Sequence, residues 1–214
     1  MKSNNNETIN LKKCILFFLL AITFAVLVSR VVSLHQMQQQ VADKVIRFHV
    51  LANSDSDADQ ALKLAVRDSV GTYLGEHLAS AEDVFDGKAI ITEHLDEIEA
   101  YAKAEIVRQG YDYPVSASLE NCYFPIKAYG KAVFPPGNYQ ALRVVIGEGE
   151  GKNWWCVLYP NLCFSGSLYQ IDEKASAEKL QTVLSPEEYK MIMENKEYEI
   201  SFRIQEVISG MFTK

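Results

Sequence analysis

The sequence predicts an α+β fold in which a mixed, mainly antiparallel sheet has two or more helices on one face and follows an N-terminal signal or anchor helix. Three observations predict this fold class. One strand-like segment precedes two helix-like segments, the chain after Gly110 consists of short β-rich segments separated by Pro or Gly, and a continuous apolar block lies near the N-terminus. Helices followed by a run of strands are typical of α+β domains.

The composition argues against one large class of function. The chain has 214 residues, of which 48% are hydrophobic and 23% charged, so it contains enough apolar material for one domain with a core. Its net charge is −7. Broad nucleic-acid binding requires a basic surface, and we therefore expect no nucleic-acid partner.

The N-terminal segment predicts export across the cytoplasmic membrane. A polar tail ends in two lysines and is followed by fifteen apolar residues, 14–28. This order is typical of a signal peptide or membrane anchor with its tail inside the cell. The apolar block spans only about 22 Å of the ~30 Å hydrocarbon core. Extension to Leu34 with Arg30 snorkelling gives an anchor, whereas Val31 and Ser33 form an acceptable cleavage pattern.

Five segments follow from this pattern. They are a cytoplasmic tail (1–13), a signal peptide or membrane anchor (14–34), a linker (35–43), an extracytoplasmic α+β domain (44–170) and a C-terminal extension of helix and strand (171–214).

Hydrophobic periodicity predicts the first elements of the domain. Residues 44–51 alternate between two faces, which indicates a strand, and apolar residues recur every three or four positions over 57–78, which indicates an amphipathic helix. A cap-like start at 80–83 and the same spacing up to Gly110 predict one further helix. The acidic residues of this second helix are interpreted as solvated surface.

Short strands in an antiparallel meander are predicted after Gly110, within residues 113–125, 127–135, 138–149 and 153–160. The segment 147–153, GEGEGKN, is interpreted as a hairpin turn between the last two strands. It does not form a phosphate-binding loop, because the Walker spacing and the following helix are missing. Ser185 and Pro186 predict another helix start, 198–204 a strand, and 205–212 a short apolar end.

A calcium site is one interpretation of three acids at alternate positions, Asp55, Asp57 and Asp59. An EF-hand loop requires Gly at its sixth position and Glu at its twelfth. Counted from Asp55, these positions hold Gln60 and Val66, and the count from Asn53 also fails. The spacing therefore excludes an EF-hand.

Helix capping explains the same acids better. Ser56 with Asp59, or Asp57 with Gln60, has the spacing of a capping pair, and acids at this end complement the helix dipole. A polar loop that also contacts a partner is the alternative. Its candidate partner-binding residues are Asn53, Ser54 and Asp55.

No sequence pattern indicates an enzyme. Gly-x-Ser-x-Gly is absent, and His49 with Cys122 or a nearby carboxylate is the one nucleophile–base pairing retained, as an alternative hypothesis. A zinc site is not expected, because Cys156 and Cys163 lack the short ligand spacing of structural sites. We therefore predict no catalytic residue, no metal ligand and no cofactor.

Cysteine usage agrees with export. Cys14 lies in the apolar block, which leaves Cys122, Cys156 and Cys163. One disulfide and one remaining thiol are expected in an oxidising compartment. The turn-like Pro160-Asn161 makes Cys156–Cys163 the candidate pair, and Cys122 with either of them is the alternative.

Residues 153–164 have the most unusual composition in the chain, with aromatic side chains flanking two cysteines. Trp154 and Trp155 are neighbours in a predicted strand, so their side chains must point to opposite faces of the sheet. An exposed aromatic side chain beside a rigid loop is typical of a protein-binding hot spot. The candidate partner-binding residues here are Trp154, Trp155, Tyr159, Asn161 and Phe164.

Two long stretches resemble the stage II sporulation protein R family. They are IRFHVLANSDSDADQALKLAVRDSV (46–70) and YFPIKAYGKAVFPPGNYQALRVVIGEGEGKNWWCVLYPNLCF (123–164), and they accompany the exported N-terminus. The resemblance covers about residues 45–165 and is weaker over 81–110.

The resemblance implies an intercellular signal in endospore-forming bacteria. It implies a protein made in the forespore, exported into the space between the two membranes, and needed to activate a membrane-embedded aspartic protease of the mother cell. That protease then processes the precursor of a sigma factor. The implied mechanism is binding to the extracytoplasmic part of the protease. The competing hypothesis is an extracytoplasmic hydrolase that uses His49 with Cys122 or a nearby carboxylate.

Overall fold

The computed structural model describes residues 3–162 and 173–193, and the chain divides into two compact units, Met1–Gln39 and Gln40–Lys214. Cys163, Phe164, the predicted strand 198–204 and the apolar end 205–212 lie outside the described residues.

Helix α1 (Ser3–Asp43) forms the first unit and continues to the start of the second. The helix contains no Gly or Pro to interrupt it, and the predicted linker 35–43 is therefore helical as well. Its apolar side chains from Ile15 to Val32 are exposed. Over Lys12–Asp43 it is long and apolar enough to cross a membrane, criteria that a signal sequence also meets.

A four-stranded mixed sheet forms the centre of the second unit. Its strand order is β2-β5-β1-β6; β1 is parallel to β5 and antiparallel to β6, and β2 is antiparallel to β5. A separate two-stranded sheet consists of β3 and β4. The strands are β1 (Ile46–Leu51), β2 (Val115–Phe124), β3 (Lys127–Tyr129), β4 (Ala132–Phe134), β5 (Gly137–Ile146) and β6 (Asn153–Tyr159).

The expected hairpin between the last two strands is wrong. β1 lies between β5 and β6, so the segment 147–152 crosses the end of β1 instead of joining paired neighbours. The reason is burial. Residues Ile46 to Val50 are buried on both faces of the sheet, and such a strand is stable only in the interior of a sheet.

Three helices, over residues 57–77, 84–93 and 95–108, cover one face of this sheet. The sequence predicts two or more helices there. The three helices bury apolar side chains against alternate residues of β1 and β5, which form the main core with them. The helices of the second unit are α2 (Asp57–His77), α3 (Val84–Glu93), α4 (Leu95–Arg108), α5 (Glu173–Val183) and α6 (Pro186–Met193), with a 3₁₀ turn at Leu78–Ser80. The core side chains include Phe48, Val50, Leu62, Val66, Val70, Leu74, Ile91, Ile98, Ile106, Leu142 and Val144.

The predicted helix between residues 81 and 110 is two helices. Asp83 caps α3 by accepting hydrogen bonds from the backbone N–H groups of Phe85 (2.7 Å) and Asp86 (2.9 Å), and the helix ends at His94. His94 has non-helical dihedral angles, φ −102° and ψ 16°. The apolar spacing continues through the break, from Ile91 to Ile98, and therefore gives no sign of it.

Helix α6 begins as predicted at Pro186, directly after Ser185. The Ser185 hydroxyl accepts from the Glu188 N–H (3.3 Å), and the Glu188 carboxylate accepts from the Ser185 N–H (2.7 Å), which is a capping box. The same carboxylate forms an ion pair with Lys44 Nζ at 2.7 Å. This pair ties the C-terminal helix to the residue that follows α1.

Candidate functional site

The acidic segment after β1 is a helix cap, as its spacing predicts. Ser56 is the N-cap of α2, and its hydroxyl accepts a hydrogen bond from the Asp59 N–H at 3.1 Å. Asp57 and Asp59 lie in the first turn of the helix, where negative charge is favourable.

The carboxylate of Asp59 has a further role that the spacing does not reveal. It accepts hydrogen bonds from Ser54 Oγ (2.5 Å) and Asn53 Nδ2 (2.9 Å), and its side chain is buried. The hydrogen bonds from Ser54 and then Asn53 lower the pKa of Asp59 below its ordinary value. Asp59 therefore holds the loop in place as an ionised acceptor.

The loop 52–55 is also bound to the segment 147–152. Asn53 Oδ1 accepts from the Glu148 N–H (3.1 Å), Asp55 Oδ1 accepts from the Lys152 N–H (2.7 Å), and the Gly151 N–H donates to Ala52 O (2.9 Å). The candidate residues Asn53, Ser54 and Asp55 thus form a structural corner with a second loop. Asp55 keeps an exposed side chain, and contact of this corner with a partner stays a prediction.

The two tryptophans point to opposite faces of the sheet, as predicted for neighbours in a strand. Trp154 lies on the helix side against Phe48 (ring centroids 5.8 Å apart) and under the Arg67 guanidinium (4.7 Å). Trp155 lies on the other side and stacks on His49 with centroids 5.0 Å apart. Both are half-buried, so each has a packing role.

Tyr159 and Asn161, two further candidates from the aromatic segment, are also held by internal contacts. Tyr159 is buried in the core, and its hydroxyl donates to Glu82 O at 3.1 Å. The backbone oxygen of Asn161 accepts from Lys179 Nζ at 2.8 Å. Phe164 lies outside the described residues. The partner-binding role of this segment stays a prediction.

The cysteines are only partly located. Cys122 carries a free thiol, so neither pairing through Cys122 occurs in this structure. Cys156 is buried in β6, and Cys163 lies outside the described residues, so the Cys156–Cys163 pair stays a prediction.

On the face of the sheet away from the helices lies a buried arginine that the sequence analysis missed. Arg47 is fully buried; Nε donates to Cys156 O (3.1 Å) and Nη2 donates to the Tyr129 hydroxyl (2.9 Å). Its guanidinium lies over aromatic rings at centroid distances of 4.4 Å (Phe124), 4.9 Å (Tyr139) and 5.1 Å (Phe134). Among the described residues, cation–π contacts take the place of a carboxylate partner for Arg47.

His49 is buried two residues further along β1. Burial is the main reason that the pKa of His49 is lowered to about 4, and the positive charges of Arg143 and Arg47 contribute to this lowering. The neighbouring Asn153 side chain acts in the opposite direction and raises the pKa. Its ring nitrogens make no hydrogen bond of acceptable geometry within the described part of the chain. His49 is thus a neutral packing residue at physiological pH.

The structure does not bring His49 and Cys122 together as a nucleophile–base pair. Strand β5 separates β1 from β2, His49 lies opposite Arg143, and Cys122 lies opposite Tyr139. This register places the two Cα atoms roughly 16 Å apart. Burial, followed by the negative charge of Glu120, raises the pKa of the Cys122 thiol to about 11, so it is a weak nucleophile at neutral pH.

An open groove lies between α2 and α4, on the outer side of the helix layer. Its volume is about 530 Å³. Helix α2 contributes Ala65, Asp68, Ser69, Thr72, Tyr73 and Glu76, and α4 contributes Tyr101, Glu105 and Arg108. Across residues 3–162 and 173–193, no three His, Cys, Asp or Glu side chains are arranged to hold a metal ion.

Comparison with known proteins gives the family. The family model of stage II sporulation protein R matches residues 42–169. The chain is 35% identical over 187 residues to "Stage II sporulation protein R" of Bacillus subtilis (strain 168), an alignment that covers 81% of this chain and 84% of that protein. No solved structure shows a significant match. The chain belongs to the stage II sporulation protein R family.

Proposed function

We propose that this chain is an exported signalling protein of endospore formation that activates a membrane-embedded aspartic protease. The protease would then process the precursor of a mother-cell sigma factor. Membership of the stage II sporulation protein R family carries this proposal. The apolar helix over Lys12–Asp43, with side chains exposed from Ile15 to Val32, supports export from the forespore into the space between the two membranes.

The proposed mechanism is binding rather than catalysis. His49 and Cys122 are far apart, and neither has a pKa suited to acid–base or nucleophilic work near pH 7. A binding protein activates an enzyme only if it binds the active form more tightly than the inactive form. The extracytoplasmic part of the protease is the proposed partner.

Reconstitution tests the proposal directly. The full chain is co-expressed with the candidate protease and its sigma-factor precursor in a non-sporulating host, and cleavage of the precursor is followed by blotting. We expect cleavage only when the chain is present and exported. A chain without residues 14–34 is the control for export and is expected to be inactive.

Two further variants separate binding from catalysis. Cys122→Ala and His49→Gln remove the residues of the hydrolase alternative, and both are expected to leave precursor cleavage at the wild-type level at equal amounts of folded protein. Loss of cleavage in a folded Cys122→Ala protein would support the hydrolase. No cleavage above background with the wild-type chain would reject the activator function itself.

We also propose the Cys156–Cys163 disulfide in the exported protein. Mass spectrometry of the peptide 153–164 after digestion without reductant is expected to show one linked pair, with Cys122 alkylated. A linkage through Cys122 would contradict this assignment.

A further inference from the structure

The groove between α2 and α4 has a fixed aromatic floor. The rings of Tyr73 and Tyr101 stack with centroids 4.4 Å apart, and Tyr101 is 47% exposed. The Tyr73 hydroxyl is hydrogen-bonded to His94 Nδ1 at 2.8 Å, and this bond holds the Tyr73 ring in one position. An exposed, immobilised aromatic face is a surface on which a cationic side chain binds.

The walls of the groove are acidic. Asp68 is paired with the neighbouring Arg67 (2.6 Å) and Glu105 with Arg108 (2.6 Å). Glu76 is exposed and has no basic partner among residues 3–162 and 173–193. Glu76 therefore lines the groove together with the tyrosine pair, and no basic side chain of the described residues neutralises its charge.

The chain segment that forms these helices is also acidic in composition. Residues 57–108 contain twelve Asp and Glu against five Lys and Arg, a net charge of −7. The whole chain also has a net charge of −7, so the remaining residues are neutral in sum. A surface of one sign attracts oppositely charged partners and repels nucleic acid and anionic lipid headgroups.

From these observations we propose that the α2–α4 groove binds a cationic segment of the partner protein, with a Lys or Arg side chain over Tyr101 and beside Glu76. The inference rests on the proposed function for the partner's identity, and it adds the location and the chemistry of the contact. The alkyl stem of the cationic side chain would pack on the tyrosine rings while its charged end meets the carboxylate. This surface is separate from the loop 52–55 and from strand β6, which carry most of the partner-binding residues that the sequence predicts.

A binding measurement tests the groove without the protease. The full chain in non-ionic detergent micelles is titrated with a fluorescent synthetic peptide of alternating lysine and leucine, and the same peptide with glutamate in place of lysine is the control probe. We expect the lysine peptide to bind and the glutamate peptide not to bind. Binding of the lysine peptide should weaken as the salt concentration rises. Glu76→Lys and Tyr101→Ala should each weaken this binding about fivefold or more.

Matched variants distinguish the groove from general attraction to an acidic surface. Glu93 on α3 is exposed and lies outside the groove, so Glu93→Lys makes the same charge change in the same helix layer. Phe85 is 73% exposed, so Phe85→Ala removes another exposed aromatic side chain. Both controls should bind the lysine peptide within about twofold of wild type. Equal weakening by Glu93→Lys and Glu76→Lys would overturn the proposal.

The reconstituted cleavage assay then tests whether the groove is needed for activation of the protease. Glu76→Lys is expected to lower precursor cleavage about fivefold or more at equal amounts of exported chain, and Glu93→Lys is expected to leave it unchanged. Normal cleavage with Glu76→Lys would overturn the groove as the contact site while the activator function stands. If the wild-type chain activates nothing, the activator function fails, and the peptide titration alone still decides whether the groove binds cations.

Discussion

At the scale of single residues, burial in the central strand sets the chemistry of His49. The ring is stacked on Trp155 and lies near the guanidinium groups of Arg47 and Arg143, so protonation would place a further positive charge in a dry and already positive site. The sequence indicates a strand histidine but not its protonation state, because the neighbouring cations come from the fold.

The pKa of His49 predicts a pH-dependent stability. Because the pKa is lowered to about 4 from the usual value of 6.5, the unfolded chain binds a proton between these values and the folded chain does not. The contribution of neutral His49 to the free energy of unfolding is therefore fully present above pH 6.5 and is lost as the pH falls toward 4. The loss is on the order of 3 kcal/mol in the free energy of unfolding.

Urea unfolding followed by tryptophan fluorescence at a series of pH values measures this loss. In His49→Gln the decrease between pH 6.5 and pH 4 should be smaller than in wild type by about that amount. Parallel profiles for the two proteins would show that His49 does not titrate differently on folding.

Arg47 gives a second prediction at the residue scale. Arg47→Ala removes the donors to Cys156 O and Tyr129 and leaves a cavity among aromatic rings, so the free energy of unfolding should fall by about 3 kcal/mol. Arg47→Met fills most of the volume without a buried charge and should cost less. Chemical denaturation at neutral pH compares the two. Equal stability of Arg47→Ala and wild type would contradict this account of the site.

At the scale of elements, the corner between the loop 52–55 and the segment 147–152 depends on glycine. Gly147 has a positive φ of 59°, and a Cβ there would overlap the Asn53 side chain. A Cβ at Gly151 would overlap the carbonyl of Ser54. The sequence shows the glycines, but the approach of the two loops follows only from the order of strands in the sheet.

Two alanine substitutions compare a glycine that the corner requires with one that has open space around it. Gly147→Ala should lower the free energy of unfolding by about 1–3 kcal/mol, because it combines an unfavourable φ with a steric overlap. Gly75→Ala, in α2 with open space around its Cβ position, should raise the free energy of unfolding by about 0.5–1 kcal/mol. Thermal and urea unfolding measure both changes. A destabilised Gly75→Ala would show that α2 is packed more tightly there than the structure indicates.

At the scale of the whole molecule, the second unit begins within α1. Val41 is fully buried and Ala42 is 7% exposed, although both precede the first strand. The sequence alone assigns residues 35–43 to a linker, because a short helical end with two apolar residues carries no periodic signal. The compact unit starts at Gln40.

Truncated chains test this boundary. A chain that begins at Gln40 retains Val41 and Ala42 in the core, whereas a chain that begins at Lys44 loses both and should be less stable by about 2 kcal/mol. Urea unfolding of the two soluble fragments measures the difference. Equal stability would place the boundary after residue 43.

The sequence by itself determined the apolar N-terminal helix, the α+β class, a capped start of α2 at Ser56 or Asp57, and the opposite faces of Trp154 and Trp155. Each of these depends on local spacing of residue types, which a single segment carries. Only the tertiary structure decided that β1 separates β5 from β6, that Arg47 lies among aromatic rings, and that the α2–α4 groove is open and acidic. Strand order and burial depend on contacts between distant segments, and periodicity within one segment contains no information about its neighbours.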